Sequence, residues 1–428
     1  MGLVTHQLAV TIVVPLPSEA VRPTRDLLRE YASQDPQRGA LPFGKLSRVH
    51  FARLLILDNA TDIGGWPLPA RVVFISDIDA PLEAYLRELV ETAAGAMDQI
   101  FGSSADYPTS RPVARKELIG FLQSHMVEAA ANYVNTVGRS AEQIRSEEEL
   151  RRELEKYLDS PDRDLSRMGS LELHARIGAH VRSREDLRWT SGPAAGPDLH
   201  FKVGETLHSI WVPLVLIILL PLLLVALPVW LVLVRTHELR DVPSNAKPDE
   251  RRAQQLAALE DHVAQNQFSA VGYVKPGMLR RMTLSSILWV VDYATRHVFN
   301  RGRLAGVKTI HFARWVFLDD KRRLLFVSNY DGSLESYMDD FIDKVAWGLN
   351  AVFSNGVGYP STRWLVLDGA RREQEFKSYL RVHQQPTELW YSAYSQLTAE
   401  NIANNAAIRA GLHARLSEED AQAWLRRL

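Results

Sequence analysis

SRVHFARLLILD (Ser47–Asp58) and TIHFARWVFL (Thr309–Leu318) read as one apolar strand written twice, with His-Phe-Ala-Arg at the centre of each. Side chains alternate along a strand, so Arg53 shares a face with Phe51 and Leu55, and Arg314 shares one with Phe312 and Val316. His50 and His311 then fall on the opposite face, beside Ala52 and Leu54 and beside Ala313 and Trp315. The match continues in register. Phe74, Ser76, Asp79, Leu82, Glu83 and Tyr85 recur as Phe326, Ser328, Asp331, Leu334, Glu335 and Tyr337. After further gaps His125, Tyr133, Ala141 and Ile144 recur as His383, Tyr391, Ala399 and Ile402. Identities held in register over such a distance point to a duplicated unit.

Outward from those strands, the order of elements repeats as well. In the first half Leu8–Val14 reads as a strand, and a helical pattern runs from Pro17 through Tyr31. Ser47–Asp58 and Ala70–Asp79 are strands, and Pro81 opens a helix with Leu82, Leu86, Leu89, Ala93 and Met97 on one side. In the second half Ser269–Val274, Thr309–Leu318 and Arg323–Asp331 are strands, and Met278–Val298 and Leu334–Phe353 are helices. A last strand fits near Ala131–Val137 in one copy and Thr387–Ser395 in the other, so each copy reads βαββαβ.

Two such units in one chain resemble the dimeric α/β-barrel superfamily, which includes dye-decolourising peroxidases and chlorite-dismutase-like haem proteins. The resemblance rests on element order over both halves. It implies an α+β fold: two tandem ferredoxin-like repeats forming a pseudo-dimer, with a helical apolar membrane segment inserted between them. The expected divisions are a first repeat over 1–145, a charged helical insertion and linker over 146–208, and a membrane segment over 209–236. A linker with a polar helix follows over 237–265, then the second repeat over 266–428. Within the insertion, Ser146–Asp159 carries Glu/Arg and Glu/Lys pairs at i,i+4 and reads as a solvated helix ended by Pro161. Gly192–Pro197 and Pro243–Pro248 read as linkers, and Asp249–His262 as the polar helix.

The membrane segment is IWVPLVLIILLPLLLVALPVWLVLV (Ile210–Val234), without a charge or an amide side chain. As a straight helix it is about 37 Å long, against about 30 Å of bilayer hydrocarbon. Pro213, Pro221 and Pro228 each remove a backbone hydrogen bond. A kinked span and a re-entrant hairpin turning near Pro221 both fit that pattern. A paired barrel needs both repeats on one side of the bilayer, which favours the hairpin and places both on the same, cytoplasmic, side.

Composition narrows function little. The chain has 428 residues, 46% of them hydrophobic, with a formal net charge of −1 that offers nucleic acid no basic surface. It has no cysteine, which excludes disulfides, thiolate metal sites and cysteine nucleophiles. The N-terminal MGLVTHQLAVTIVVPLP reads as a first strand rather than a signal peptide, and His6 stands where a myristoylation signal carries Ser or Thr.

Candidate chemistry gathers on the duplicated strands. Arg53 and Arg314, with Ser76 and Ser328 on the neighbouring strands, are candidates for binding an anionic head group in a cavity between the repeats. The alternative is an internal ion pair with Asp79, Asp331 or a helix carboxylate, because a mid-strand arginine needs an anionic partner. His50 and His311, and also His125 and His383, are candidate haem ligands, while His174 and His180, six residues apart, do not share a helix face. Ser328-Asn329-Tyr330-Asp331-Gly332 is similar to the peroxidase family's distal Gly-x-x-Asp-Gly, with serine in place of the first glycine. That resemblance implies Asp331 and Arg314 as distal catalytic residues; a turn with a helix cap is the structural alternative. Three functions follow as expectations. The first is a membrane-attached binder of an apolar, lipid-like ligand. The second is a haem-dependent peroxidase-like oxidoreductase, and the third is a structural membrane protein that self-assembles. Expected partners are the bilayer and an apolar small molecule, with homo-oligomerisation left open.

Overall fold

The computed structural model describes residues 6–110, 112–160, 168–192, 196–244, 246–300 and 302–428. Pro161 and residues 193–195 of the Gly192–Pro197 linker lie outside them. The fold is mixed α+β, with two four-stranded antiparallel sheets and one long apolar helix.

The first half supplies β1 (Gln7–Pro15), α1 (Val21–Ala32), β2 (Val49–Leu57), β3 (Arg71–Asp79), α2 (Leu82–Phe101), α3 (Arg115–Ser124), β4 (Ala131–Val134) and α4 (Ala141–Leu158). Then come α5 (Ser170–Ser183), α6 (Leu199–Glu238) and α7 (Glu250–Ala257). The second half supplies β5 (Gln265–Tyr273), α8 (Met278–His297), β6 (Ile310–Leu318), β7 (Arg323–Asp331), α9 (Leu334–Phe353), α10 (Glu373–His383), β8 (Leu389–Ser392), α11 (Ala399–Leu412) and α12 (Glu418–Leu425).

The sheets run β1-β3-β2-β8 and β4-β6-β7-β5, so each copy's last strand completes the other copy's sheet. Residues before β4 first lie beside β1, where Val127 N donates to Thr11 O at 2.8 Å. The chain then crosses, and β4 pairs with β6 from Ala131 opposite Trp315 to Val134 opposite Phe312. The second copy does the same: Gln385 N donates to Ser269 O at 2.8 Å before β8 pairs with β2. Backbone pairing therefore runs continuously around both sheets. Neither half has a complete sheet without the other.

Irregularities recur with the elements. Helices α2 and α9, each of twenty residues, carry one non-helical residue at the same point, Ala93 (φ −133°) and Val345 (φ −135°). A β-bulge interrupts β2 at His50 and β6 at His311. The outer face of each sheet is buried under its own copy's helices, around Leu54, Phe74, Leu86 and Met97 in the first and Trp315, Phe326, Met338 and Phe341 in the second. The inner faces meet through Leu55, Val73, Ile75, Val316, Leu325 and Val327.

The charged helix expected as a solvated insertion proves to be α4, the counterpart of α11, and the two pack together. Its Arg151–Glu155 and Arg152–Glu148 pairs sit outside, but Glu147, Leu150 and Leu154 are buried beside Ile408 and Leu412. The i,i+4 charges masked an apolar stripe on the other side of the same helix.

The hairpin expected near Pro221 is not formed. α6 is one helix of 40 residues containing all three prolines. A proline costs the hydrogen bond to the carbonyl four residues back. For Pro213 that carbonyl belongs to Ser209, and Tyr293 Oη on α8 donates to it at 3.0 Å. A neighbouring hydroxyl thus replaces the lost donor.

Candidate functional site

The interior between the sheets holds most of the residues singled out above. Along β2 the inward side chains are Phe51, Arg53, Leu55 and Leu57, and along β6 they are Phe312, Arg314, Val316 and Leu318. The two arginines form a polar layer between an aromatic and an aliphatic one, and both are 1% exposed. Each reaches across to the other copy. Arg53 Nη1 donates to Phe268 O and Ser269 Oγ, both at 2.9 Å, and Nη2 to Ser328 O at 2.9 Å and to Asn329 Oδ1. Arg314 Nη1 donates to Val10 O at 2.8 Å, and Nη2 to Ser76 O at 3.1 Å and to Asp77 Oδ1. Asn329 Nδ2 closes the circuit by donating to Asp77 Oδ2 at 3.1 Å.

Asp77 and Asn329 occupy the same place in the two copies, so one carboxylate serves two guanidiniums. Burial pulls Arg53 down to about 10, with Asp77 opposing and Arg314 adding to the fall. The anionic partner is Asp77, not Asp79 or Asp331. Ser76 and Ser328 take part through their carbonyls. Their side chains lie in register with Ala52 and Ala313, on the faces under the helices. The guanidinium donors are spent on the opposite copy, and these arginines clamp the halves together.

The histidines stand elsewhere than strand alternation places them. At each bulge one extra residue turns the following pleat, and His50 and His311 point inward with Phe51 and Phe312. His50 lies 5.2 Å from the Phe312 ring and His311 lies 5.6 Å from that of Phe51. His50 Nε2 donates to Asp79 Oδ1 at 2.9 Å, and His311 Nε2 to Asp331 Oδ1 at 2.6 Å. The second oxygen of each aspartate accepts the first amide of a helix, Ala141 N of α4 at 2.9 Å and Ala399 N of α11 at 2.8 Å. The Tyr394 hydroxyl donates to His50 Nδ1 at 2.8 Å. His125 and His383 bond the carbonyls of Phe121 and Tyr379 on their own helices.

This arrangement does not fit haem. The chamber between His50, His311 and Tyr394 measures about 20 Å³, room for about one water molecule. Both Nε2 atoms are committed to aspartates, and Asp331 and Arg314, the expected distal pair, are held by Ala399 and by the first copy. Among the described residues no group of three or more His, Asp or Glu side chains is placed to hold a metal ion.

The large apolar space lies outside the two sheets, where α6 runs antiparallel to α8. Arg296 pairs with Glu205, His208 Nδ1 meets His297 Nε2 at 2.7 Å, and Trp230 Nε1 donates to Thr283 Oγ1 at 3.0 Å. At the far end Glu238 accepts the amides of Trp364 at 2.9 Å and Leu365 at 3.0 Å. Both ends of α6 are thus fixed to the second half. Between them a crevice of about 960 Å³ opens among Leu223, Leu227 and Trp230 of α6, Ile287 of α8 and Val345 and Leu349 of α9. Much of the rest of α6 is bare, with Ile217, Leu224 and Val225 66%, 67% and 70% exposed. The alternation on the duplicated strands drew attention to the interior. The signal for the crevice was present in α8, where Met278, Met282, Trp289 and Val290 are exposed.

The His208–His297 contact makes the tether pH-dependent. Burial, helped by His208 and Arg296 and opposed by Glu205 and Asp292, holds His297 below the ordinary imidazole range. A histidine with a lowered folded-state pKa costs stability as pH falls through its unfolded value of about 6.5. Amides 200–209 are therefore expected to exchange faster with deuterium at about pH 5.5 than at about pH 7.5, after correction for intrinsic rates. His297→Gln should remove most of that difference; an unchanged difference would dissociate the histidine pair from the tether.

No protein-family model matches this chain, and no curated protein matches it.

Proposed function

We propose that this is a membrane-attached protein that holds lipid acyl chains in the crevice between α6 and the second half's helices. The crevice itself carries the reading: about 960 Å³, lined almost wholly by apolar side chains, and near the upper end of the usual size of ligand pockets. Its occupant has to be apolar, because neither α6 nor α8 offers it a charge. The bare surface of α6 is a second reason. Apolar area of this extent is unfavourable in water at about 25 cal/mol per Å², and hydrocarbon is what removes that cost.

Duplication explains how such a protein could arise. Two copies of a ferredoxin-like unit interlock as a pseudo-dimer, and the second turns Met278, Met282, Trp289 and Val290 of α8 outward. Strand exchange keeps both copies on one side of the bilayer. With both ends fixed to the same body, α6 lies along the membrane surface beside α8, a monotopic attachment rather than a crossing.

Tryptophan fluorescence tests the binding. Trp230, Trp289 and Trp347 line the crevice. In a variant retaining only these three tryptophans, lipids brominated near the chain ends are expected to quench strongly, and head-group-level quenchers weakly. Ala226→Trp or Gly348→Phe, which fill the crevice, should displace co-purifying lipid detected by native mass spectrometry. Equal quenching at both depths, with no lipid retained by the unaltered protein, would exclude acyl-chain binding.

A further inference from the structure

A second cavity lies where α4 and α11 meet, and polar side chains line much of it. It measures about 520 Å³ and is lined by Thr136 and Arg139 of the β4–α4 connection, Gln143 and Glu147 of α4, and Arg409 and His413 from α11 onward. Thr136 and Arg139 also line the small chamber between His50, His311 and Tyr394, so the cleft continues inward to that chamber. The acyl-chain reading gives none of these residues a task.

Two features of the cleft ask for a ligand. The first is charge. Arg139 is partly buried, and burial pulls its guanidinium below the ordinary range, with Glu147 and Tyr394 opposing. Among the described residues it forms no ion pair, although partly buried cations elsewhere in the chain, such as Arg381 with Glu260 at 2.7 Å, do. The second is a set of unused acceptors. Glu147 is 1% exposed, and its Oε1 accepts from Gln143 Nε2 at 2.7 Å and from Arg409 Nη1 at 3.3 Å. Glu147 Oε2 and Gln143 Oε1 are buried without a donor among the described residues. A buried acceptor left without a donor costs about 1–3 kcal/mol, so such groups normally have a partner.

We infer that this cleft binds a small soluble anion that also carries a hydroxyl or ammonium group, its anionic end on Arg139 and its donor on Glu147 and Gln143. Sugar phosphates, hydroxy acids and amino acids belong to that class. The partner is soluble rather than a head group because the outward faces of α4 show Glu142, Glu149 and Lys156 to water. With its end at Arg139, such a ligand places a charged group at the mouth of the chamber that holds the Asp79–His50–Tyr394 chain of hydrogen bonds.

Thermal unfolding of the full chain in detergent, with glycerol 3-phosphate or inorganic phosphate at about 10 mM, tests this through the stabilisation that any native-state ligand confers. Glycerol 3-phosphate should raise the midpoint, and more than inorganic phosphate does. Arg139→Gln should weaken that binding at least about tenfold, and Glu147→Gln should erase the preference between the two anions. A measurement without substitution is phenylglyoxal labelling, where glycerol 3-phosphate should protect Arg139 in the native protein. No midpoint shift with either anion, or a shift and a labelling rate that do not depend on Arg139, would overturn the assignment.

Discussion

Replacing Arg314 with methionine is expected to destabilise the protein by about 3–5 kcal/mol, the usual cost of stranding one member of a buried ion pair. Asp77, 3% exposed, would lose its direct guanidinium partner and keep only the amide of Asn329 and a more distant Arg53. Arg53→Met should cost less. It leaves neutral acceptors short of a donor, the carbonyls of Phe268 and Ser328 among them, and it removes a like charge from beside Arg314. Asp77→Asn should resemble Arg314→Met, because it leaves two buried cations facing an amide pair. The double variant Arg314→Met/Asp77→Asn should recover part of the loss, since a neutral pair of similar volume avoids desolvating either charge. Urea unfolding of the purified variants decides the order. If Arg53→Met proves as costly as Arg314→Met, the single carboxylate is not what fixes the charge balance of the interior.

The arginine layer also shows how far sequence reasoning reaches. Alternation put Arg53 with Phe51 and Leu55 and Arg314 with Phe312 and Val316, and the shared His-Phe-Ala-Arg marked the two strands as alike. Neither identified the arginines' partner. Asp77 and Asp79 lie two residues apart on one strand, and the bulge opposite them decides which meets a guanidinium and which meets a histidine. A one-residue bulge depends on the opposing strand and leaves no periodic trace. The exchange of β4 and β8 was hidden for a similar reason, since a four-residue strand declares its conformation but not its neighbour. Proline was over-read in α6. Its penalty is counted within one helix, whereas at Pro213 Tyr293, far along the chain, supplies the missing donor, and α6 runs on through Pro221 and Pro228. The crevice beside α6 was missed because no residue in it is chemically unusual.

The exposed side of α6 carries the largest effect expected at the membrane. Ile217 and Leu224 lie seven residues apart, on nearly the same side of α6 and turned away from α8. An arginine at the centre of an apolar helix costs about 2.5–3.5 kcal/mol on the insertion scale. That figure is an upper bound for a helix lying along the surface, so the double variant Ile217→Arg/Leu224→Arg loses at most about 5–7 kcal/mol, a weakening of membrane partition of up to about 10⁴-fold, if its penalties add. It should move from the membrane fraction to the supernatant, while Glu83→Arg/Thr92→Arg on the charged face of α2 should stay bound. Placement along the surface makes a further demand that a crossing helix cannot meet. The chain has no cysteine, so single cysteines introduced at His200 and Arg240 report without background. In sealed vesicles both should react with a membrane-impermeant maleimide added to one side, because both ends of α6 return to the same interlocked body. Labelling of one position from outside and the other only after lysis would mean that α6 crosses the bilayer. Since each end is bonded to the second half, through Glu205 and through Glu238, one of those two attachments would then have to be broken in the membrane.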